Sequence, residues 1–165
     1  MESAKESIRI ECAVESQVPL ILNFIRQLAE YEKLLDKVEA DEARIRESLF
    51  GPQPCAEVVI AYFNDQASGF AIFFPTYSTF LGKPGLYLED LFVEPKFRGH
   101  GVGKALLVYL AKLTLERGGA RFEWSVLNWN EPSIQFYKRL GAEPLDEWTT
   151  YRVTGEKLEK LAETL

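Results

Sequence analysis

The sequence predicts a single mixed α/β domain over residues 1–165. Three observations carry that reading. Apolar alternation and helical apolar spacing succeed one another along the whole chain, in the order β-α-α-β-β-β-α-β-α-β with a last helical pattern at the end. No repeat, low-complexity stretch or linker interrupts them. At 165 residues the chain suits one domain with a sizeable core.

Each element has its own signal. Residues 7–14 alternate, with Ile8, Ile10, Cys12 and Val14 on one side, and read as a strand. Residues 17–31 carry Leu20, Ile21, Phe24, Ile25 and Leu28 at helical spacing, with Pro19 tolerated in the first turn. Residues 41–50 read as a shorter helix stopped by Gly51-Pro52. Strands over 57–63 and 69–74 flank Asn64-Asp65-Gln66-Ala67-Ser68 as a hairpin, and 75–85 reads as a loop. A strand over 86–93 precedes a helix over 101–117, which stops at Gly118-Gly119. A strand over 121–127 follows. Asn130 then caps a helix over 131–140, with Pro132 in its first turn and Gly141 after its end. A strand over 148–153 and a helix over 155–165 complete the pattern.

Composition removes several function classes. Hydrophobic residues at 47% and charged residues at 27% exclude a disordered chain. A net charge of -6 without a basic stripe speaks against nucleic acid and suits a cationic small substrate. Cys12 and Cys55 stand far apart, and His100 is the one histidine, so no metal site is expected. Two free thiols suit a reducing compartment. The polar start at 1–9 does not read as a signal peptide, and no apolar run approaches membrane-spanning length. The expected location is the cytoplasm, with no membrane partner.

The chemistry-bearing stretch is Arg98-Gly99-His100-Gly101-Val102-Gly103-Lys104, between a strand pattern and a helix pattern. Three glycines at alternate positions leave backbone amides free to converge on an anion, and the next helix adds its positive end. A P-loop needs glycine where Arg98 stands and a hydroxyl residue where Ala105 stands. The dinucleotide fingerprint fails at Lys104. A plain turn followed by a helix start explains the triplet as well as an anion site does.

Context separates the two. Arg98-x-x-Gly101-x-Gly103, preceded by Leu86-Tyr87-Leu88-Glu89-Asp90-Leu91-Phe92-Val93, resembles the acetyl-CoA loop of GNAT N-acetyltransferases. Asn128-Trp129-Asn130-Glu131-Pro132-Ser133-Ile134-Gln135-Phe136-Tyr137-Lys138 resembles the fourth helix of that fold. Tyr-Leu-Glu-Asp together with Trp-Asn-Glu-Pro-Ser-Ile-x-Phe-Tyr-Lys resembles the diamine branch, which holds the spermidine/spermine and thialysine N-acetyltransferases. The resemblance implies a mixed central sheet with a splayed strand pair, helices on both faces, and acetyl-CoA as co-substrate without a metal. It also implies a homodimer with the C-terminal strand region at or near the interface.

Roles follow residue by residue. Backbone amides from Gly99, His100, Gly101, Val102, Gly103 and Lys104 are expected to hold the pyrophosphate, with Arg98 and Lys104 adding charge. The resemblance gives the pantetheine arm to the backbone of Leu91, Phe92 and Val93, and places Asn130 and Ser133 near the cofactor. Tyr137 is the expected general acid, since a phenol of pKa about 10 suits a departing thiolate; packed as a core aromatic, it would do nothing chemical. Glu89 is the expected general base through water, because a carboxylate in an apolar strand is costly unless it faces a cleft. Asp90 on the other face reads equally as a structural acceptor or a substrate contact. Tyr31, Glu32, Glu123, Trp124 and Ser125 are further substrate-contact candidates, for which surface charge or core packing is an equal alternative.

The polyamine enzymes carry an acid and a tryptophan where Ser78 and Phe80 stand. Loss of that acid removes an anchor for a distal ammonium. The expected reaction is therefore acetylation of a small primary amine: a diamine, a polyamine or a basic amino-acid-like molecule. Acetylation of protein amino groups and non-catalytic acetyl-CoA binding are the alternatives.

Overall fold

The structure, a computed structural model, describes residues 6–164. The chain divides into two compact units, one ending at Ser125 and the other beginning at Val126. The first unit is built on five strands: β1 (Ile8–Cys12), β2 (Glu57–Phe63), β3 (Gln66–Ser78), β4 (Lys83–Val93) and β5 (Phe122–Trp124). They lie in sequence order. The first four pair antiparallel with one another, and β5 is parallel to β4. A parallel neighbour requires a crossover, and α3 (Val102–Glu116) is the helix in it.

Side-chain parity sorts the core into two layers. Val58, Ile60, Phe70, Ile72 and Phe92 face α1 (Val18–Tyr31) and α2 (Glu42–Phe50), meeting Val18, Ile21, Phe24 and Ile45. Phe24 stacks on Phe70 with centroids 5.3 Å apart and meets Phe92 at 6.1 Å. The alternate residues, among them Val59, Ala61, Phe73, Leu86 and Leu88, are buried on the opposite face. There α3 contributes Val102, Leu106, Leu107 and Leu110. Helices thus cover both faces, as expected.

Two bulges shape the sheet. Ala61 pairs with Gly69 and Tyr62 with Ala67, so Ser68 has no register partner; its hydroxyl donates to the Ala61 carbonyl at 2.9 Å, fully buried. Ile72 pairs with Asp90 and Phe73 with Leu88, which makes Glu89 the extra residue of β4. Gly69 sits where a Cβ would lie 2.4 Å from the Phe92 carbonyl oxygen, and so only glycine fits. The Arg117 guanidinium closes the far end of α3 onto β2, donating to both carboxylate oxygens of Glu57 at 2.6 and 2.7 Å. That pairing holds the Glu57 carboxyl below its ordinary range.

The second unit contains α4 (Glu131–Arg139) and α5 (Glu156–Ala162). Asn130 caps α4, its side-chain oxygen accepting from the Ser133 amide at 3.4 Å.

Four expectations are corrected. Residues 75–85 are not a loop: β3 runs to Ser78 and β4 begins at Lys83, so only the tip at 79–82 is a turn. Thr, Tyr and Ser support a strand as readily as a loop when a partner strand lies alongside. The strand expected over 121–127 is reduced to Phe122–Trp124. The strand expected over 148–153 is absent; those residues carry no regular structure, and Trp148 and Tyr151 are 77% and 91% exposed. Alternation alone supplies no ladder hydrogen bonds, and none is formed there among the described residues. The helix expected over 155–165 ends at Ala162, and residue 165 lies outside the described residues.

Candidate active site

β4 pairs with β5 only from Leu86–Phe122 to Leu88–Trp124, while β4 itself continues to Val93. Leu91, Phe92 and Val93, together with the bulged Glu89 and with Asp90, therefore lie where β5 no longer covers the strand. The resemblance implies a splayed pair here; the structure has β5 ending at Trp124, which leaves this part of β4 without a strand beside it among the described residues. Apart from the Val93 carbonyl, which accepts from Arg98, backbone groups on that edge are available to an extended arm that adds like another strand. The Ser125 hydroxyl, just beyond β5, lies 2.7 Å from the Tyr87 hydroxyl.

At the end of β4 a short turn, Pro95–Phe97, leads into the glycine loop. Gly99 and Gly101 have φ of 84° and 85°, the left-handed region that side chains other than glycine resist. Open space surrounds the Gly99 α-carbon. No side chain caps α3 at Gly101, so the amides of its first turn, from Val102, Gly103 and Lys104, remain free of side-chain acceptors. A pyrophosphate meets there both unsatisfied donors and the positive end of a 15-residue helix.

Arg98, expected to add charge on the anion, also has a structural contact. Its Nε donates to the Val93 carbonyl at 2.9 Å, and its guanidinium lies 5.0 Å from the Tyr31 ring centroid and 5.7 Å from that of Phe92. It thus fastens the start of the loop to the end of β4 and to the last residue of α1. The His100 ring lies tilted against that of Phe63, centroids 4.8 Å apart, with Nδ1 3.5 Å from a Glu6 carboxylate oxygen. His100 is thus half-exposed, held between an aromatic ring and a surface carboxylate.

Three carboxylates gather at the other end of the open edge. Asp90 pairs in register with Ile72 and faces α1, where Glu32 follows the last helical residue. Burial, then Glu89, then Glu32 push the Asp90 carboxyl up to about 6. Burial also raises Glu32. Glu89, by contrast, is exposed in its bulge. Of the two neighbouring carboxylates, the desolvated one is Asp90. The missing signal was the bulge, since alternation from Glu89 alone cannot show which carboxylate is desolvated.

The remaining candidates divide. Glu123 is paired with Arg121, Nε to Oε2 at 2.8 Å, so its charge is partly neutralised. Trp124 packs on Phe122 at 5.0 Å. Ser78 is buried and accepts from the Leu81 amide at 3.3 Å, whereas Phe80 at the hairpin tip is 97% exposed. In the second unit, Tyr137 lies half-buried on α4 with its ring 5.4 Å from Phe136. Asn130 is buried and Ser133 half-buried at the start of the same helix. No group of three or more metal-ligating side chains occurs among the described residues.

An open strand edge, a glycine loop without a side-chain cap and nearby carboxylates are the parts that the resemblance to acetyl-CoA-dependent transferases implies. The chain belongs to the Acetyltransferase (GNAT) family, whose sequence profile matches residues 22–142. It is 38% identical to thialysine N-epsilon-acetyltransferase of Sus scrofa over 94% of this chain and 98% of that one. It is 30% identical to an L-ornithine N5-acetyltransferase of Arabidopsis thaliana, over 93% of this chain and 87% of the relative. Among solved structures, an integron cassette protein from V. cholerae superposes with a TM-score of 0.80 at 28% identity, covering 96% and 99% of the two chains. The protein is an acetyl-CoA-dependent N-acetyltransferase. No described helix is long and apolar enough to cross a membrane.

Proposed function

We propose that the chain transfers the acetyl group of acetyl-CoA to a primary amine of a small basic molecule, a diamine, polyamine or basic amino acid, in a ternary complex. The observation that carries this is the cluster of Glu32, Glu89 and Asp90, in which burial first, and then the Glu89 and Glu32 charges, raise the Asp90 carboxyl, a cost that a bound ammonium group relieves. Near end-to-end similarity to enzymes named for thialysine and ornithine supports the same substrate class.

The amine nitrogen attacks the thioester carbonyl carbon and the carbon–sulfur bond breaks. The amine proton passes through water to Glu89, and the leaving sulfur takes a proton from the Tyr137 hydroxyl. The glycine loop, Leu91, Phe92 and Val93, with Asn130 and Ser133, hold the co-substrate. Tyr31, Glu32, Asp90, Glu123, Trp124 and Ser125 form the amine side. Residues 1–165 act as one catalytic domain, in a cytoplasmic homodimer without a metal.

The test is thiol release from acetyl-CoA across a panel of diamines, polyamines, basic amino acids and N-terminal peptides. Turnover with small basic amines is expected. Turnover confined to peptides overturns the substrate class, and acetyl-CoA binding without release for any amine overturns catalysis.

A further inference from the structure

Arg98 stands where three parts of the site meet. It directly precedes Gly99, the first residue of the anion loop. Its Nε donates to the Val93 carbonyl at the end of the open edge of β4. Its guanidinium lies over the ring of Tyr31, the last residue of α1. The Nη groups take no hydrogen bond among the described residues. A guanidinium presents several donors on its edge and a face for an aromatic ring. The remaining edge can therefore meet an anion in the loop while the Val93 and Tyr31 contacts are kept.

Beyond Tyr31 the end of α1 is a closed turn. The Glu32 amide donates to the Leu28 carbonyl at 2.9 Å, Lys33 to Glu30 at 3.1 Å and Leu34 to Ala29 at 2.8 Å. Lys33 has a φ of 61°, in the left-handed position where a helix end most often carries glycine. A turn tied by three hydrogen bonds has little freedom of its own, so Glu32 follows Tyr31. Glu32 in turn lies near enough to Asp90 for its charge to act on that carboxyl. The glycine loop and the acidic cluster are thus joined by one side-chain contact and one rigid turn.

We infer that Arg98 is a positioning residue: resting on Tyr31, it carries occupancy of the glycine loop to the Glu32 end of α1 and steadies Glu32 beside Asp90 once the co-substrate is bound. The consequence for catalysis rests on the reading above, in which this acidic end receives the amine. An ordering shared between two sites is made once, so the second ligand meets a surface already fixed. Charge on the anion alone would be served by lysine. An ammonium is a compact point charge, however, and cannot offer an edge to Val93 and a loop anion together with a face to Tyr31.

Amide hydrogen exchange on the whole protein, with and without saturating CoA and with no amine present, tests this. The amides of Glu32, Lys33 and Leu34 are the probes, and those of Val102, Gly103 and Lys104 report that CoA is bound. In the wild type CoA is expected to slow exchange at the α1 end about fivefold or more. Arg98→Lys and Tyr31→Leu are expected to lose that slowing while their loop amides still respond. Tyr31→Phe, which keeps the ring, is expected to retain it. The comparison is the CoA-dependent change within each variant, so a general loosening of the fold acts on both states and does not mimic the effect. A wild type without slowing at the α1 end, or slowing that survives in Arg98→Lys or Tyr31→Leu, overturns the assignment. No amine takes part, so failure of this link and failure of the amine panel are separate results.

Discussion

Glu89 and Asp90 are sequence neighbours in opposite environments, one exposed and one pressed against α1. Below about 6 the Asp90 carboxyl is neutral and the acidic patch loses a charge. The amine-dependent rate is therefore expected to fall as pH drops through that value. Asp90→Asn removes that limb from the kcat/KM profile. Glu89→Gln slows turnover about 100-fold or more and moves the limb to lower pH, because the Glu89 charge is one of the groups raising Asp90. An identical limb in both variants would dismiss both roles. The same residue carries a stability signature of defined sign. A carboxyl raised in the folded state binds more protons folded than unfolded, so it costs stability as pH rises from about 4 to 6. Asp90→Asn is expected to melt higher than wild type at pH 8, by up to about 3 kcal/mol of stability, with the advantage gone at pH 3. Tyr137→Phe is expected to lower turnover by a factor of about 10²–10⁴ while calorimetry shows acetyl-CoA binding nearly unchanged.

Long apolar patterns were legible element by element: α1, α3, β2 and the glycine loop between β4 and α3 fall where spacing and capping residues put them. The β3–β4 arm was not, because Thr76-Tyr77-Ser78 becomes strand only when Pro84 and Gly85 lie opposite. The segment 148–153 failed in the other direction, since a strand pattern without a partner has nowhere to place its backbone hydrogen bonds. The site shows the same division. Gly99 and Gly101 were readable from residue type, but the bulge that desolvates Asp90 and the turn of Arg98 toward Tyr31 depend on strands distant in sequence. At this scale the sharpest expectation concerns Gly69. Gly69→Ala forces a Cβ against the Phe92 carbonyl and is expected to destabilise the fold by about 1–3 kcal/mol in urea titration. A change below about 0.5 kcal/mol would show that the β3–β4 contact is looser than described.

At the level of the whole molecule, the matched family covers most of the chain, and similarity to the thialysine enzyme runs nearly end to end. The sheet, the crossover through α3 and the glycine loop are parts that an acetyltransferase needs whatever its acceptor. In the proposed reading, the acceptor is chosen by a few side chains near the open edge of β4 and by the β3–β4 tip, where Phe80 stands in solvent and Ser78 is buried. The bulge at Glu89 bears on how that open edge is encoded. Ile72 pairs with Asp90 and Phe73 with Leu88, so a chain lacking Glu89 alone has an unbroken β3–β4 ladder available with every other pairing kept. Glu89 is thus supernumerary to the architecture. Of all the residues in β4, it is the one the sheet could spare, which is what the general-base role proposed for it requires.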